Sequence, residues 1–423
     1  MASAPASAPT PAPAPASVAV AGGGPAGMVL GLLLARAGAE VTVLEKYPDF
    51  LRDFRGDTVH PPTLRLLDDL GLGDAFRRIP AGRMTSMRMR IGRRDVTMGD
   101  LGRMPGRYRH LAMVPQWDLL SLLADAAQAE PTFTLRLSSE VTGLTRDPAG
   151  TVDGLTYRDA EGEHHLATDL VVGCDGRRSA VRDAAGLELV ESDLPMDVWW
   201  LRVPMAPEDE ADAVVARFVD GHVVVSMARH DYHQVAYLLA KGTDAERRRG
   251  DVADLLRVLA HEFGWAEDQL ADIRSWDDVR FLDARAGMVR RWWAPGVLCI
   301  GDAAHPMSPV MGVGINLAVQ DAVATARLLV PPLRSGTLGD QDLARVERRR
   351  RRPTRITRAM QDNEHEHLVR PALEGRIDDR PLPAFVRAMQ ISPRLSGILT
   401  WLQMSAVGHE PTPSWARGTS RAG

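Results

Sequence analysis

The stretch VAVAGGGPAGMVLGLLLARAGAEVTVLEK, residues 18–46, constrains the fold more than any other part of the chain. A short apolar run meets a glycine cluster, then a longer apolar run, then a second alternating run that ends in an acid. That order reads as strand, tight turn, helix, strand: one parallel β-α-β unit. Gly22, Gly24 and Gly27 stand in G-x-G-x-x-G spacing, and Glu45 closes the second strand. Glycines there let the backbone turn sharply and approach a pyrophosphate, while the helix start offers unpaired N–H groups and a favourable dipole. An acid at the end of the second strand accepts hydrogen bonds from ribose hydroxyls. The pattern predicts a dinucleotide site made by Gly22, Gly24, Pro25, Ala26, Gly27 and Glu45, with Lys46 beside it.

The chain has 423 residues, enough for a large core or two domains. Its 51 Lys and Arg against 55 Asp and Glu give a net charge of −4, which argues against a nucleic-acid binder. Only Lys46 and Lys241 are lysines. Cys174 and Cys299 each end an apolar run, so buried thiols of a cytoplasmic protein are expected rather than a disulfide framework. No apolar run approaches the ~18 residues of a membrane span, so no stable membrane insertion is expected. Residues 1–17 are almost all Ala, Pro and Ser and read as a disordered tail.

Further along, residues 52–72, with Arg55 and His60, read as a loop entering a helix. Residues 83–110 carry eight arginines and read as an irregular, solvated hairpin. VPQWDLLSLLADAAQ is an amphipathic helix that begins near Gln116, and a set of strands follows, with Val141 among them. TDLVVGCDGRRSAVRDAAGL reads as a buried strand, an Asp-Gly turn and a short helix. From about Pro195 to Ala240 the pattern becomes β-like and resembles an inserted antiparallel sheet. A helix follows at 244–263. GVLCI then leads into GDAAHPMSPVMGVGIN at 301–316 and an apolar helix. The Arg-rich run ERRRRRPTRITRAMQ reads as a solvated helix face.

Three motifs thus stand in order: GGGPAG at 22–27, CDGRRSAVR at 174–182 and GDAAHPMSPVMGVGIN at 301–316. Together they resemble the single-component FAD-dependent aromatic monooxygenases, the family of para-hydroxybenzoate hydroxylase and related aromatic and polyketide hydroxylases. The resemblance covers roughly residues 18–360. It implies an α/β fold with a Rossmann-type, three-layer ββα FAD-binding domain, an inserted antiparallel-sheet substrate domain and C-terminal helices. The expected division is 18–90, 110–190 and 281–360 for FAD binding, 91–109 and 191–280 for substrate, and 361–423 for a C-terminal helical segment.

The resemblance further implies non-covalent FAD, NAD(P)H as cosubstrate and O2. Asp175 and Gly176 would lie by the flavin pyrophosphate. Gly301 and Asp302 would meet the ribityl chain, and the backbone of Pro309, Gly312, Gly314, Ile315 and Asn316 the flavin ring. Lys46, Arg55, Gln116 and Val141 complete the expected cofactor set. Gln116 stands where many relatives have Arg, and Met311 where many have Gly. The reaction implied is hydroxylation or epoxidation of an aromatic or polyketide-like molecule by an oxygen adduct at flavin C4a, so the cofactor rather than a protein nucleophile carries the reactive atoms.

Substrate contacts are expected from Met227, Arg229, His233, Tyr237 and Met311. His222, His230, Tyr232 and Gln234 share that region, and alternation along strands turns about half of them away from the pocket. His60, His233 and Pro309 are weak candidates for a catalytic role, His305 is expected to be a local hydrogen-bonding group, and no metal site is expected. Three other readings stay open: a flavin reductase or dehydrogenase, a non-catalytic flavin or ligand binder, and a halogenase, for which WWLRVP at 199–204 offers only part of the needed pattern and neither Lys46 nor Lys241 stands where the required lysine is expected. A monomer and a homodimer are both compatible.

Overall fold

The computed structural model describes residues 15–51, 58–104, 106–207, 209, 213–219, 221–378, 381–391, 400–401 and 408–418. Arg55 and most of the Ala/Pro tail lie outside them, and the first strand starts at Ser17.

A six-stranded sheet organises the first half of the core. Its order is Trp293–Ala294, Val297–Cys299, Leu170–Gly173, Ser17–Ala21, Glu40–Leu44, Phe133–Arg136. All pairings are parallel except the short outer strand Trp293–Ala294. The central strands are apolar along their length because both faces are covered. One face carries the helices Pro25–Arg36, Gln116–Gln128 and Gly314–Ser335. The other is covered by a three-stranded meander, Glu140–Arg146, Val152–Asp159 and Gly162–Ala167. This is the three-layer arrangement expected.

Helix Gly314–Ser335 belongs to a segment long and apolar enough to cross a membrane, which the sequence reading did not anticipate. Of its most apolar window, 78% is buried inside the protein, so its composition answers the core.

The second unit is a seven-stranded sheet in the order Arg280–Leu282, Met196–Pro204, Tyr232–Ala240, His222–Ala228, Ala213–Val219, Ser86–Ile91, Arg94–Asp100. It is antiparallel except where Ala213–Val219 runs parallel to Ser86–Ile91. The arginine-rich hairpin is therefore regular and extends this sheet, because Met87, Met89 and Ile91 turn to its core face while Arg88 and Arg90 alternate to the other. By sheet membership, 86–91 and 280–282 join the substrate-side unit.

Helix Val252–Phe263 covers one face of this sheet. Asp251 caps its start by accepting the Ala253 N–H at 3.0 Å, and Gly264 ends it at φ +73°. The other face packs against Val310, Leu368, Val369 and Ala372. Helix Asp340–Glu364 spans the two units and runs into a π-turn, His365–Val369. Residues 408–418 return to the first unit, where the Arg36 guanidinium donates to the Ala416 carbonyl at 2.9 Å.

Candidate functional site

The three sequence motifs leave neighbouring parallel strands at their C-terminal ends. The glycine turn follows Ser17–Ala21, the Asp-Gly turn follows Leu170–Gly173, and the Gly301–Asp302 turn follows Val297–Cys299. Backbone bonds lock them side by side: Gly22 N–H to Leu44 O at 2.7 Å, Cys174 N–H to Ala21 O at 2.7 Å and Ile300 N–H to Gly173 O at 3.0 Å. In open α/β sheets the crevice beyond these strand ends is where ligands bind.

The glycines of the first turn do different jobs. Gly22 has φ +98°, and a Cβ there would sit 2.5 Å from the Cys174 carbonyl oxygen. A Cβ on Gly27 would sit 2.0 Å from the Gly22 oxygen. Both are required by packing alone. At Gly24 a Cβ would meet nothing within 4 Å, yet Gly24 is the N-cap of Pro25–Arg36 and makes no side-chain cap. That open cradle at a helix start fits a pyrophosphate. Ala26 is buried below it, and Pro25 fills the first helical turn without losing a needed N–H.

Glu45 is 3% exposed and ties the turn from behind. Its Oε2 accepts the Gly23 N–H at 2.8 Å and its Oε1 the Tyr47 N–H at 3.1 Å. Lys46 is exposed beside it, over the Tyr47 ring. Ser139 N–H bonds the Glu45 carbonyl at 2.9 Å, which brings the Val141 strand alongside, although the Val141 side chain itself is buried in the main core. Gln116 opens helix Gln116–Gln128, half-buried.

The Asp-Gly turn is self-capped. Ser179 Oγ donates to Asp175 Oδ1 at 2.5 Å and accepts the Arg182 N–H at 2.9 Å, starting helix Ala180–Ala184. Burial raises the Asp175 carboxyl, and the Ser179 hydroxyl and the Val181 N–H offset only part of that. Gly176, at φ +85°, has open space above it.

In the third motif, Gly301 sits at φ +58° against Ala318 and Ala26, and Asp302 is half-exposed in the 3-10 turn that follows. His305 is a buried structural group. Its Nε2 lies 2.5 Å from Asp321 Oδ2, and its ring packs against Trp292. The loop 308–312 is fastened from the long helix: Gln361 Nε2 donates to the Ser308 and Val310 carbonyls at 2.9 and 2.7 Å, and His365 Nε2 meets Ser308 Oγ at 2.9 Å. Burial pushes the His365 imidazole below its ordinary pKa. Pro309 precedes the 3-10 turn Val310–Gly312, in which Met311 takes φ +69° and Gly312 φ +61°. Gly314 opens the next helix with free space above it, and Ile315 packs against the core.

Asn316 faces away from that space. Its Oδ1 accepts the His60 N–H at 2.8 Å and the Thr63 hydroxyl at 2.9 Å, and its Nδ2 donates to Thr58 O at 2.9 Å. His60 is thereby the buried N-cap residue of helix Pro61–Asp69.

The expected substrate residues divide by strand face. Met227, Gln234 and Ala236 look toward the 308–312 loop with Val310. Arg229 is buried next to them and donates to Gln234 Oε1. His233 and Tyr237 lie one residue out of phase and point to the opposite face, under helix Val252–Phe263 and the residues that follow it. His233 bonds Asp209 Oδ2 at 2.9 Å and Ser226 Oγ at 3.2 Å, and Tyr237 bonds His222 at 2.7 Å. Sequence reasoning missed Trp200 on the loop-facing side, and also Asp321, Gln361 and His365. Asp321 left a signal, as the sole charge in the apolar run 314–326.

Comparison with known proteins agrees with this construction. Residues 15–361 match the FAD binding domain family. The chain is 36% identical over 342 residues to the 6-methylpretetramide 4-monooxygenase of Streptomyces rimosus, covering 80% of this chain and 81% of that protein. This chain belongs to the FAD-dependent aromatic monooxygenases. A 12-dehydrotetracycline 5-monooxygenase/anhydrotetracycline 6-monooxygenase of Streptomyces rimosus subsp. rimosus is 27% identical over 71% of this chain, which spans 60% of that longer protein. The fold also matches p-nitrophenol 4-monooxygenase of Pseudomonas putida, with TM-score 0.73, 22% identity and coverage of 92% of this chain and 98% of that one. The protein is therefore an FAD-dependent monooxygenase. Lys241, one of the two lysines that the halogenase reading would have to use, is held by Asp197, Asp283 and the Ala284 carbonyl at 2.6–2.7 Å.

Proposed function

We propose that this monooxygenase uses NAD(P)H and O2 to hydroxylate a polycyclic, oxygen-bearing aromatic molecule of polyketide type. One observation carries the substrate class. Trp200 Nε1 and Gln234 Nε2 are buried donors without a hydrogen-bond partner among the described residues. Trp200 pairs opposite Ala236, so it is the diagonal neighbour of Gln234 on the face turned to the 308–312 loop. A buried donor left unsatisfied costs about 1–3 kcal/mol, so two together call for acceptor oxygens on a ligand. Met227, Val225, Ala236 and Val310 form the apolar surroundings. A flat molecule with adjacent phenol or ketone oxygens suits that surface. The similarity to an enzyme named for 6-methylpretetramide supports the same class.

FAD, when bound, supplies the redox and oxygen chemistry. The chain would hold it with Gly24 and the start of helix Pro25–Arg36 toward the pyrophosphate, Asp302 toward the ribityl chain, and the backbone of Gly312–Asn316 toward the ring. The first N–H groups of helix Gly314–Ser335 lack intrahelical acceptors and stabilise negative charge gathered at its start. The apolar sheet face excludes water from the reacting carbon. Trp200 and Gln234 orient the substrate through its oxygens. A cytoplasmic location belongs to the same proposal.

The test is product mass spectrometry under ¹⁸O2 across phenols and polycyclic aromatic ketones, with NAD(P)H consumption followed in parallel. One ¹⁸O atom in a polycyclic product, with consumption stimulated by that compound, is expected. Consumption without incorporation across the panel would overturn the hydroxylase assignment. Incorporation confined to single-ring phenols would overturn the substrate class.

A further inference from the structure

The arginine run 348–358 divides by helix face. Arg349 and Arg350 turn to Glu410. Arg351, Arg355, Arg358 and Asp362 recur at helical spacing and line one side of a cavity of about 350 Å³. The other side is the antiparallel pair Leu189–Ser192 and Ala286–Val289, from which Val190 and its partner Met288 face the helix. Both walls are bonded to the third sequence motif. Gly287 and Val289 donate their N–H groups to the Pro306 and Ala304 carbonyls at 2.9 and 2.8 Å. From the helix, Gln361 holds the Ser308 and Val310 carbonyls. The cavity therefore lies beside the segment 304–310.

Its charged groups are not all matched. Arg351 belongs to the scaffold: its Nε donates to Glu347 Oε1 at 2.9 Å and its guanidinium to the Val289 carbonyl at 3.0 Å, which fixes the helix against the strand. Arg290 pairs with Glu188 at 2.8 Å. Arg358 donates to the Ser192 hydroxyl and has no carboxylate within ion-pair distance among the described residues. Arg355 is exposed and makes no hydrogen bond, ion pair or ring contact among the described residues. Against these, Asp362 is the one acid lining the cavity, and its carboxylate, 63% exposed, lies 4.0 Å from His365 Nδ1. Val190, 42% exposed, and Met288 give the floor an apolar surface.

We propose that this cavity holds the adenosine 2′-phosphate end of the cosubstrate, with Arg355 and Arg358 as the residues that select NADPH over NADH; the inference rests on the NAD(P)H-dependent reading above. The 2′-phosphate is a dianionic monoester that NADH lacks, and the planar guanidinium fork suits it. The adenine ring would lie on Val190 and Met288. Asp362, one helical turn beyond Arg358, would accept a ribose hydroxyl. The volume falls within the ~300–1,000 Å³ of small-molecule sites. Hydride transfer needs the nicotinamide at the flavin and the phosphate end outside it, and a cavity whose two walls both hold the 304–310 segment suits that division.

The test is calorimetric titration of the FAD-loaded enzyme with NADP⁺, NAD⁺ and adenosine 2′,5′-bisphosphate. NADP⁺ binds at least about tenfold more tightly than NAD⁺, about 1.4 kcal/mol, and the bisphosphate competes with it. Arg355→Gln and Arg358→Gln each remove most of that preference by weakening NADP⁺ and leaving NAD⁺ unchanged. Arg352→Gln, at an exposed position outside the cavity, changes neither. In steady state the first two variants raise KM for NADPH and leave kcat and the KM for NADH as they were. Because Arg355 is bonded to none of the described residues, its variant reads the site without loss of stability. Should neither dinucleotide reduce the flavin, the NAD(P)H-dependent reading fails, whereas bisphosphate binding that Arg355→Gln weakens still supports a phosphate site here. Equal affinity for NADP⁺ and NAD⁺, equal loss of both in the arginine variants, or the same effect from Arg352→Gln overturns the assignment.

Discussion

His305 and Asp321 meet at 2.5 Å in the interior, 1% and 0% exposed, directly behind the turn that presents Asp302. Asp321 Oδ2 also accepts the Gly301 N–H at 3.1 Å, and its Oδ1 accepts Arg350 Nε at 2.7 Å. Arg350, fully buried, continues to the Gly408 carbonyl and to Glu410, which Arg327 and Arg349 pair as well. The Gly301–Asp302 turn is thus held by charges drawn from two helices and the C-terminal segment. Such a network is costly to break from one side, because a buried charge is left unpaired.

Asp321→Asn and Arg350→Met should each destabilise the protein by about 3 kcal/mol or more. Denaturant unfolding of the FAD-loaded enzyme measures it. A change below about 1 kcal/mol in both would mean that the network contributes little.

Asp302→Ala and His305→Ala should separate binding from stability. The Asp302 variant weakens FAD binding at least about tenfold, about 1.4 kcal/mol, with little change in the melting temperature. The His305 variant lowers the melting temperature with a smaller effect on affinity, since its ring touches Asp321 and Trp292. Flavin fluorescence titration and thermal melting read the two quantities, and matched losses in both would refute the division.

Burial alone would raise the Asp321 carboxyl, but the His305 and Arg350 charges and hydrogen bonds outweigh it and hold it below the usual carboxylate value. A group depressed in the folded state stabilises above its unfolded pKa, near 3.9, and loses that contribution as pH falls through the folded value. The stability gap between wild type and Asp321→Asn should therefore stay level from about pH 5 to 8 and narrow below about pH 4. Urea midpoints across that range check it; a gap that widens in acid contradicts the depressed carboxyl.

Gly27→Ala and Gly24→Ala are expected to fail differently. At Gly27 the new methyl would press on the Gly22 oxygen, so the fold should lose about 1–3 kcal/mol or more. At Gly24 the methyl enters open space, so stability should change by about 1 kcal/mol or less while FAD affinity falls. Apoprotein melting temperature with FAD titration distinguishes them. A Gly24 variant that binds FAD normally would remove the cradle from the cofactor site.

Met311 holds φ +69°, a conformation costing a non-glycine residue about 1–2 kcal/mol. Met311→Gly relieves that strain and loosens the loop that Gln361 pins at Ser308 and Val310. Flavin reduction by NAD(P)H without substrate should rise at least about threefold, or about 0.65 kcal/mol of barrier. Anaerobic stopped-flow absorbance is the measurement, and an unchanged rate would show that this residue does not restrain reduction.

The sequence alone determined the parallel β-α-β core, the FAD-binding class and the positions of the three turns at the strand ends. Each rests on a local requirement: Gly22 must take positive φ, Gly27 must leave room for the Gly22 carbonyl, and Asp175 and Ser179 cap a helix within five residues of each other. Such needs are written in consecutive residues. Only the tertiary structure decided which groups of the seven-stranded sheet face the 308–312 loop, because a strand reverses its faces every residue and register is set by distant partners. His233 and Tyr237 fell on the far side for that reason, while Trp200 and Gln234 fell on the near one. Tertiary structure likewise turned the Asn316 side chain to Thr58, His60 and Thr63, and joined Asp321 to Arg350 and Glu410. Those partners stand 29 to 258 positions apart, and no local pattern encodes a hydrogen bond that only folding brings within 3 Å.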